Sequence, residues 1–170
     1  MNRIARFEKV SFEQFAKDWK RFDEQASAEE VRRIYDDLKL PRRATRGSAG
    51  YDFYAPADIT MKAGEQRLVP TGIRAKIEDG FVLVLVPRSS LGFKYRMQLD
   101  NTVGIIDADY YEADNEGHMM CKLINDSREE KTLHIEKGQG MVQGIFLPFG
   151  ITEDDDADTQ RTGGFGSTTK

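Results

Sequence analysis

The chain is predicted to be an all-β sandwich or barrel, and two observations carry that prediction. From Gly47 onward, short runs rich in Val, Ile, Tyr and Phe recur between turn residues, with Gly64, Gly72, Gly80 and Gly138 as punctuation. Pro87 and Pro148 stand at the ends of such runs, where a missing N–H costs a ladder least. One stretch departs from the strand period: residues 11–39 read as a helical hairpin inserted before the strands. With 170 residues and 39% apolar side chains, the chain fills a single core, predicted to span residues 1–150.

Residues 4–10 read as a first strand. Phe12, Phe15, Trp19 and Phe22 then fall at i, i+3, i+7 and i+10, one apolar stripe on a helix. Ser11 with Gln14, and Ser27 with Glu30, have the spacing of capping boxes. Val31, Ile34, Tyr35 and Leu38 give a second helix its stripe, and Pro41 closes it. An aromatic stripe of this kind serves either as a docking face onto the protein body or as a surface for a partner protein. Strands are predicted at 51–54, 59–61, 67–69, 73–77, 81–86, 103–106, 118–124, 132–135 and 141–147. Beyond Gly150, Glu153, Asp154, Asp155, Asp156 and Asp158 form an acidic, solvated linker. The closing RTGGFGSTTK is too polar and glycine-rich for a core of its own; it is either disordered or an arm, within 151–170, that orders over a ligand.

Composition excludes several classes. A net charge of −4 argues against a general binder of nucleic-acid backbones, and no apolar run reaches membrane-spanning length. One cysteine, Cys121, allows no internal disulfide and points to a reducing, cytoplasmic setting. It alternates with Met119 and Leu123 on a strand face, so a buried inert thiol is expected. The two imidazoles, His118 and His134, stand apart without cysteine partners, a poor zinc set.

Chemistry concentrates in five segments. In LDNTVGIIDADY, residues 99–110, Asp100-Asn101 turn chemistry precedes an apolar run and two further carboxylates, read as a hairpin able to present backbone groups and a carboxylate to a flat polar ligand. SAGYD places Asp52 just inside a strand. PRSSLG offers a guanidinium and two hydroxyls after a strand, in what reads as a loop suited to phosphate oxygens. Gln143 interrupts an apolar strand, and Phe165 in the tail offers a stacking face.

Taken in order, SAGYDFYA, PRSSLGFK, NTVGIIDADY, GQGMVQGIF and RTGGFGST closely resemble the five motifs of the homotrimeric dUTP diphosphatases, over about residues 40–170. The resemblance implies a distorted β jelly roll that assembles as a trimer, with each active site drawn from three subunits and closed by the C-terminal arm. It implies hydrolysis of dUTP to dUMP and pyrophosphate, with Mg²⁺ held on the triphosphate. By matching position, Asp107 would activate the attacking water. Asn101 and the backbone of Gly104, Ile105 and Ile106 would read uracil, and Tyr110 would lie under the deoxyribose and exclude a 2′-hydroxyl. Arg88, Ser89, Ser90 and Gln143 would meet phosphates, and Asp52 would act on magnesium's water. On the arm, Phe165 would stack on uracil while Arg161, Gly166, Ser167 and Thr168 close on the β,γ-phosphates. Two enzymes and one binding module share this frame: a dUTP diphosphatase, a dCTP deaminase of the same fold, and a nucleotide sensor using the helical insert.

The sequence departs from the family pattern at four places. Gly140 stands where many members have Arg, which removes a structural ion pair. YEADNEG enlarges the loop after Tyr110, Thr169 replaces a frequent glycine, and the Arg161–Phe165 spacing is one residue short.

Overall fold

The computed structural model describes residues 2–157. β1 (Ala5–Lys9) leads into α1 (Phe12–Trp19) and α2 (Ala28–Asp37), the predicted helical hairpin. There follow β2 (Arg42–Arg43), β3 (Tyr51–Tyr54), β4 (Ile59–Met61), β5 (Gln66–Pro70), β6 (Ile73–Ile77) and β7 (Phe81–Pro87). A third helix, α3 (Ser89–Tyr95), precedes β8 (Met97–Leu99) and β9 (Gly104–Ile106). After a 3-10 turn, Ala108–Glu112, come β10 (Met120–Asn125), β11 (Leu133–Ile135) and β12 (Gly140–Pro148). Each expected strand is present, with ends displaced by two residues at most, while the short β2 and β8 were not expected.

Every strand pairing is antiparallel. The largest sheet has the order β2-β3-β12-β7-β9, beside a β5-β10-β8 sheet and the pairs β1-β6 and β11-β4. Side chains alternate as the strand period requires: Leu83 and Leu85 of β7 are buried, as are Cys121 and Leu123 of β10, and they join Phe53, Met119, Met141 and Val142 in one core. Burial pushes the Cys121 thiol up to about 12, so it stays a neutral apolar group, as its strand alternation predicted. Among the described residues no helix is long and apolar enough to cross a membrane.

Two local expectations are corrected. The PRSSLG stretch is not a loop but the start of α3, whose Leu91 is buried; Gly92 in its interior hid the helix, since glycine weakens helical patterns. The Asp100-Asn101 turn does not open a regular hairpin. It closes on a single bridge, Leu99 to Thr102, with Thr102 at φ 69°. The chain then leaves: β8 pairs with β10, and β9 pairs with β7. Apolar Leu83 and Leu85 offered β9 a buried partner that the short turn did not.

The aromatic stripe of α1 is a docking face. Phe15 and Trp19 are buried with Val10 and Val31 in a second cluster, and Phe12 and Phe22 pack at its margin. A protein partner therefore has neither of the two central rings to bind. The Ser11 and Ser27 hydroxyls accept the N–H groups of Gln14 and Glu30 at 3.1 and 3.2 Å, as their spacing predicted. The return half of the first box is supplied from elsewhere: Glu116 accepts the Ser11 N–H at 2.7 Å and its hydroxyl at 2.5 Å, while Gln14 donates to Asp18 at 2.7 Å.

The helical hairpin packs closely against the sheet body at Gly72. This residue has φ +72°, and a Cβ there would lie 2.2 Å from Leu38 Cδ1 and 3.2 Å from Phe15 Cδ2. Both backbone strain and overpacking follow from any side chain, so Gly72→Ala should destabilise the protein by about 2 kcal/mol or more. Denaturant unfolding checks this; an unchanged midpoint would mean that the hairpin moves aside freely. A pH dependence comes from the same region. Burial opposes the charges of Asp18 and Glu116, but hydrogen bonds from His118 and Gln14 to the first, and from Ser11 to the second, hold both carboxyls below their usual range. A carboxyl lowered by folding contributes stability above its unfolded value, about 4, and loses it as pH falls through the folded one. Thermal stability should therefore drop on acidification below about pH 4, less steeply in a Glu116→Gln variant.

Candidate active site

The phosphate-type residues converge around one strand. On β12, Gln143 stands in register with Asp52 of β3 on one side and Val86 of β7 on the other. Arg88 follows immediately after β7, and its Nε lies 3.1 Å from Asp52 Oδ1. Gln143 Nε2 donates to the Pro87 carbonyl at 3.2 Å, tying the three strands together at this end. Arg88 occupies the N-cap position of α3 without a capping side-chain bond, and its guanidinium turns to Asp52 instead. Ser89 and Ser90 follow as exposed residues in the first turn. The pair Arg88–Asp52 is partly open to solvent, so its worth to stability is about 0–1 kcal/mol; its effect is to aim the guanidinium.

The second set follows the 99–102 turn. Asn101 is exposed in that turn, and β9 is the edge of its sheet, so one row of its backbone groups faces away from β7. Ile106 is buried and Ile105 is 57% exposed, which leaves the outer face of the strand accessible. Asp107 comes next, half-buried and extended, heading the 3-10 turn that contains Tyr110. Tyr110 is buried; its hydroxyl donates to the His118 carbonyl at 2.8 Å and accepts from Asn115 Nδ2 at 2.7 Å.

One chain does not bring the two sets together. Ile106 pairs with Leu83, which puts Asp107 level with Val82, six residues before Arg88 on the same strand direction. At roughly 3.3 Å per residue that is about 20 Å. Each chain thus holds two half-sites, with Asp107 at the end of β7 opposite the Asp52–Arg88–Gln143 cluster. Arg161, Phe165, Gly166, Ser167 and Thr168 lie outside the described residues.

A dUTPase family profile matches residues 36–169. The chain belongs to the dUTPase family. The deoxyuridine 5′-triphosphate nucleotidohydrolase of Lactococcus lactis is 45% identical over 134 residues, covering 77% of this chain and 88% of that protein. That of Pectobacterium carotovorum is 39% identical over 142 residues, covering 79% and 89%. Among solved structures, the dUTPase from Streptococcus mutans superposes with a TM-score of 0.63 at 34% identity, covering 86% of this chain and 98% of its own. A dUTPase from phage phi11 of S. aureus gives 0.64 at 16% identity, a likeness of fold alone. The jelly-roll-like β fold of the dUTPases is therefore the fold of this chain.

The family match begins at the end of α2, leaving the aromatic helix α1 outside it. Sequence reasoning also passed over four residues that connect this helix to the site: Asp18, Asn115, Glu116 and His118. The signal available was Asp18 itself, since Gln14 and Asp18 share the inward face with Phe15 and Trp19, and a carboxylate on a buried stripe needs a partner. The enlarged loop after Tyr110 supplies the others.

The guanidinium over Gly140 is that of Arg88. A Cβ at Gly140 would fall 2.7 Å from Arg88 Nη1 and 3.0 Å from its Cδ. The obstructed atoms belong to a flexible side chain, so Gly140→Ala should displace Arg88 at little cost in stability. We expect a melting temperature within about 3 °C of the parent and a KM for substrate raised severalfold; an unchanged KM would mean that Arg88 has a second equivalent position.

Proposed function

We propose that the two half-sites form a complete active site between copies of the chain in a homotrimer, with Asp107 as general base. As a dUTPase the enzyme hydrolyses dUTP to dUMP and pyrophosphate, which limits uracil entry into DNA and supplies dUMP for thymidylate synthesis. Asp107 accepts a proton from a water that attacks the α-phosphorus in line; the bond to the bridging oxygen breaks, and pyrophosphate leaves. Arg88, Ser89, Ser90 and Gln143 meet the phosphate oxygens and take up charge as it develops. Asn101 and the backbone of Gly104, Ile105 and Ile106 read the uracil edge, and Tyr110 lies under the deoxyribose. The observation that carries this reading is the register of β9 on β7, which sets Asp107 six residues, roughly 20 Å, along β7 from Arg88 and its partner Asp52 within one chain. A second copy closes such a gap, and exposed Phe149 and Ile151 give it apolar surface to cover.

The dUTPase family uses a divalent metal, which we take to be Mg²⁺. Among the described residues no three His, Cys, Asp or Glu side chains gather into a ligand set. A single carboxylate, Asp52, suits an ion that arrives on triphosphate oxygens and keeps most of its water. Bound there, Mg²⁺ would neutralise phosphate charge; Asp52 would orient one of its waters. The C-terminal segment, 151–170, is taken as an arm over the substrate, carried by one catalytic domain over 1–150, and the setting as cytoplasmic, which suits a lone cysteine. No observation favours the deaminase or the sensor.

Pyrophosphate release from dUTP, dCTP, UTP and dTTP, with and without Mg²⁺, tests the whole reading; Mg²⁺-dependent release from dUTP alone is expected. Asp107→Asn should retain dUTP binding while turnover falls about 10²- to 10⁴-fold. Turnover within a few-fold of the parent would assign the base elsewhere, and a monomer by light scattering would remove the shared site.

A further inference from the structure

The helical hairpin and the enlarged loop both depart from the common dUTPase pattern, and they are joined to each other. Asp18 on α1 is 7% exposed and His118 is fully buried; Asp18 Oδ2 and His118 Nδ1 lie 2.6 Å apart. The Gly72 N–H donates to His118 Nε2 at 2.8 Å, so Nε2 is the acceptor and Nδ1 carries the proton that Asp18 receives. Gln14 donates to the same Asp18 oxygen at 2.7 Å. The carbonyl of His118 in turn accepts the Tyr110 hydroxyl at 2.8 Å, and Asn115 Nδ2 donates to that hydroxyl at 2.7 Å. Two buried hydrogen bonds, joined through His118 itself, thus link α1 to Tyr110. Glu116, two residues before His118, fastens the same loop onto the start of α1 through Ser11.

We propose that Asp18 and His118 are positioning residues for sugar discrimination: the helical hairpin holds Tyr110 in the one place that leaves no room for a 2′-hydroxyl. The proposal rests on the reading of Tyr110 as the residue under the deoxyribose. Steric exclusion of one oxygen demands a wall fixed to within a fraction of an ångström, because a ring that tilts admits the larger sugar. A phenol held only by the loop that carries it has no such fixity. Here Tyr110 is held at its hydroxyl by two groups of that loop, and the loop is fastened at both Glu116 and His118 to a helix packed through Phe15 and Trp19 into the body. The hairpin therefore acts on selectivity without touching substrate.

The test compares kcat/KM for dUTP and UTP in the full-length assembled protein, with melting curves alongside. Asp18→Ala should lower the dUTP-to-UTP ratio at least 10-fold, chiefly by admitting UTP, while kcat for dUTP stays within about threefold. Asp18→Asn, whose amide oxygen still accepts the Nδ1 proton, should restore most of the ratio. Tyr110→Phe should lower the ratio to a similar degree, and the double variant with Asp18→Ala should lower it no further. Should Asp18→Ala not fold, Asn115→Ala severs the direct bond to Tyr110 outside the α1 core and should give the same loss. If dUTP and UTP turnover fall together with melting temperature, the contacts are structural only and the proposal fails. If Tyr110→Leu relaxes the ratio while Asp18→Ala, Asn115→Ala and Tyr110→Phe all leave it intact, the brace is wrong and the placement of Tyr110 stands. If even Tyr110→Leu leaves the ratio unchanged, the placement of Tyr110 is wrong and the brace falls with it.

Discussion

The antiparallel register of β12 between β3 and β7 is the constraint on which the site depends. Nine residues long, β12 pairs with β7 from Val142 to Pro148 and over its first part with β3. Side chains on a strand alternate faces, so a slip of one residue would turn Gln143 inward and bury a polar amide among Phe53 and Leu85. Burial of Met141, Val142 and their neighbours forbids that slip, and in doing so it fixes Asp52 and the end of β7 beside Gln143. Arg88 is the next residue, and the irregular register between Gly140 and Val142 leaves it a bed. Apolar packing thus places polar groups whose own attraction is weak.

The same strand system also keeps the half-sites apart. β7 is shared, with β12 along one edge and β9 along the other. Because β9 runs antiparallel, its end carrying Asp107 points away from Arg88. Separation within the chain follows from strand direction, and it makes assembly a requirement of the proposed chemistry rather than an ornament on it.

A second joint works by different physics. Where α1 meets the body, Asp18 and His118 pair in a setting nearly closed to water, where an unmatched charge is costly. Removing one partner leaves the other's buried polar atom unsatisfied, at a cost of about 1–3 kcal/mol. Solvent-exposed pairs elsewhere, such as Lys137 with Asp37 at 2.6 Å, are screened by water and contribute little to stability. The hairpin is held by aromatic burial, and this buried pair sets how it sits.

By itself, the sequence determined the family and most of the elements of this protein, though not α3, β2 or β8. Periods of two and of 3.6 residues are local, so strands such as β6 and β10, the two helices of the hairpin and their Ser11 and Ser27 caps were all legible. The ordered motifs were legible too, because the phosphate and turn chemistry of PRSSLG and GIIDADY needs those residue types whatever surrounds them. The tertiary structure decided pairing partners. That β9 leaves its turn for β7, that Arg88 lies over Gly140, and that α1 reaches Tyr110 through His118 are contacts between residues far apart in the chain. No local pattern encodes such contacts, since each depends on which buried faces compete for the same partner when the whole chain closes around one core.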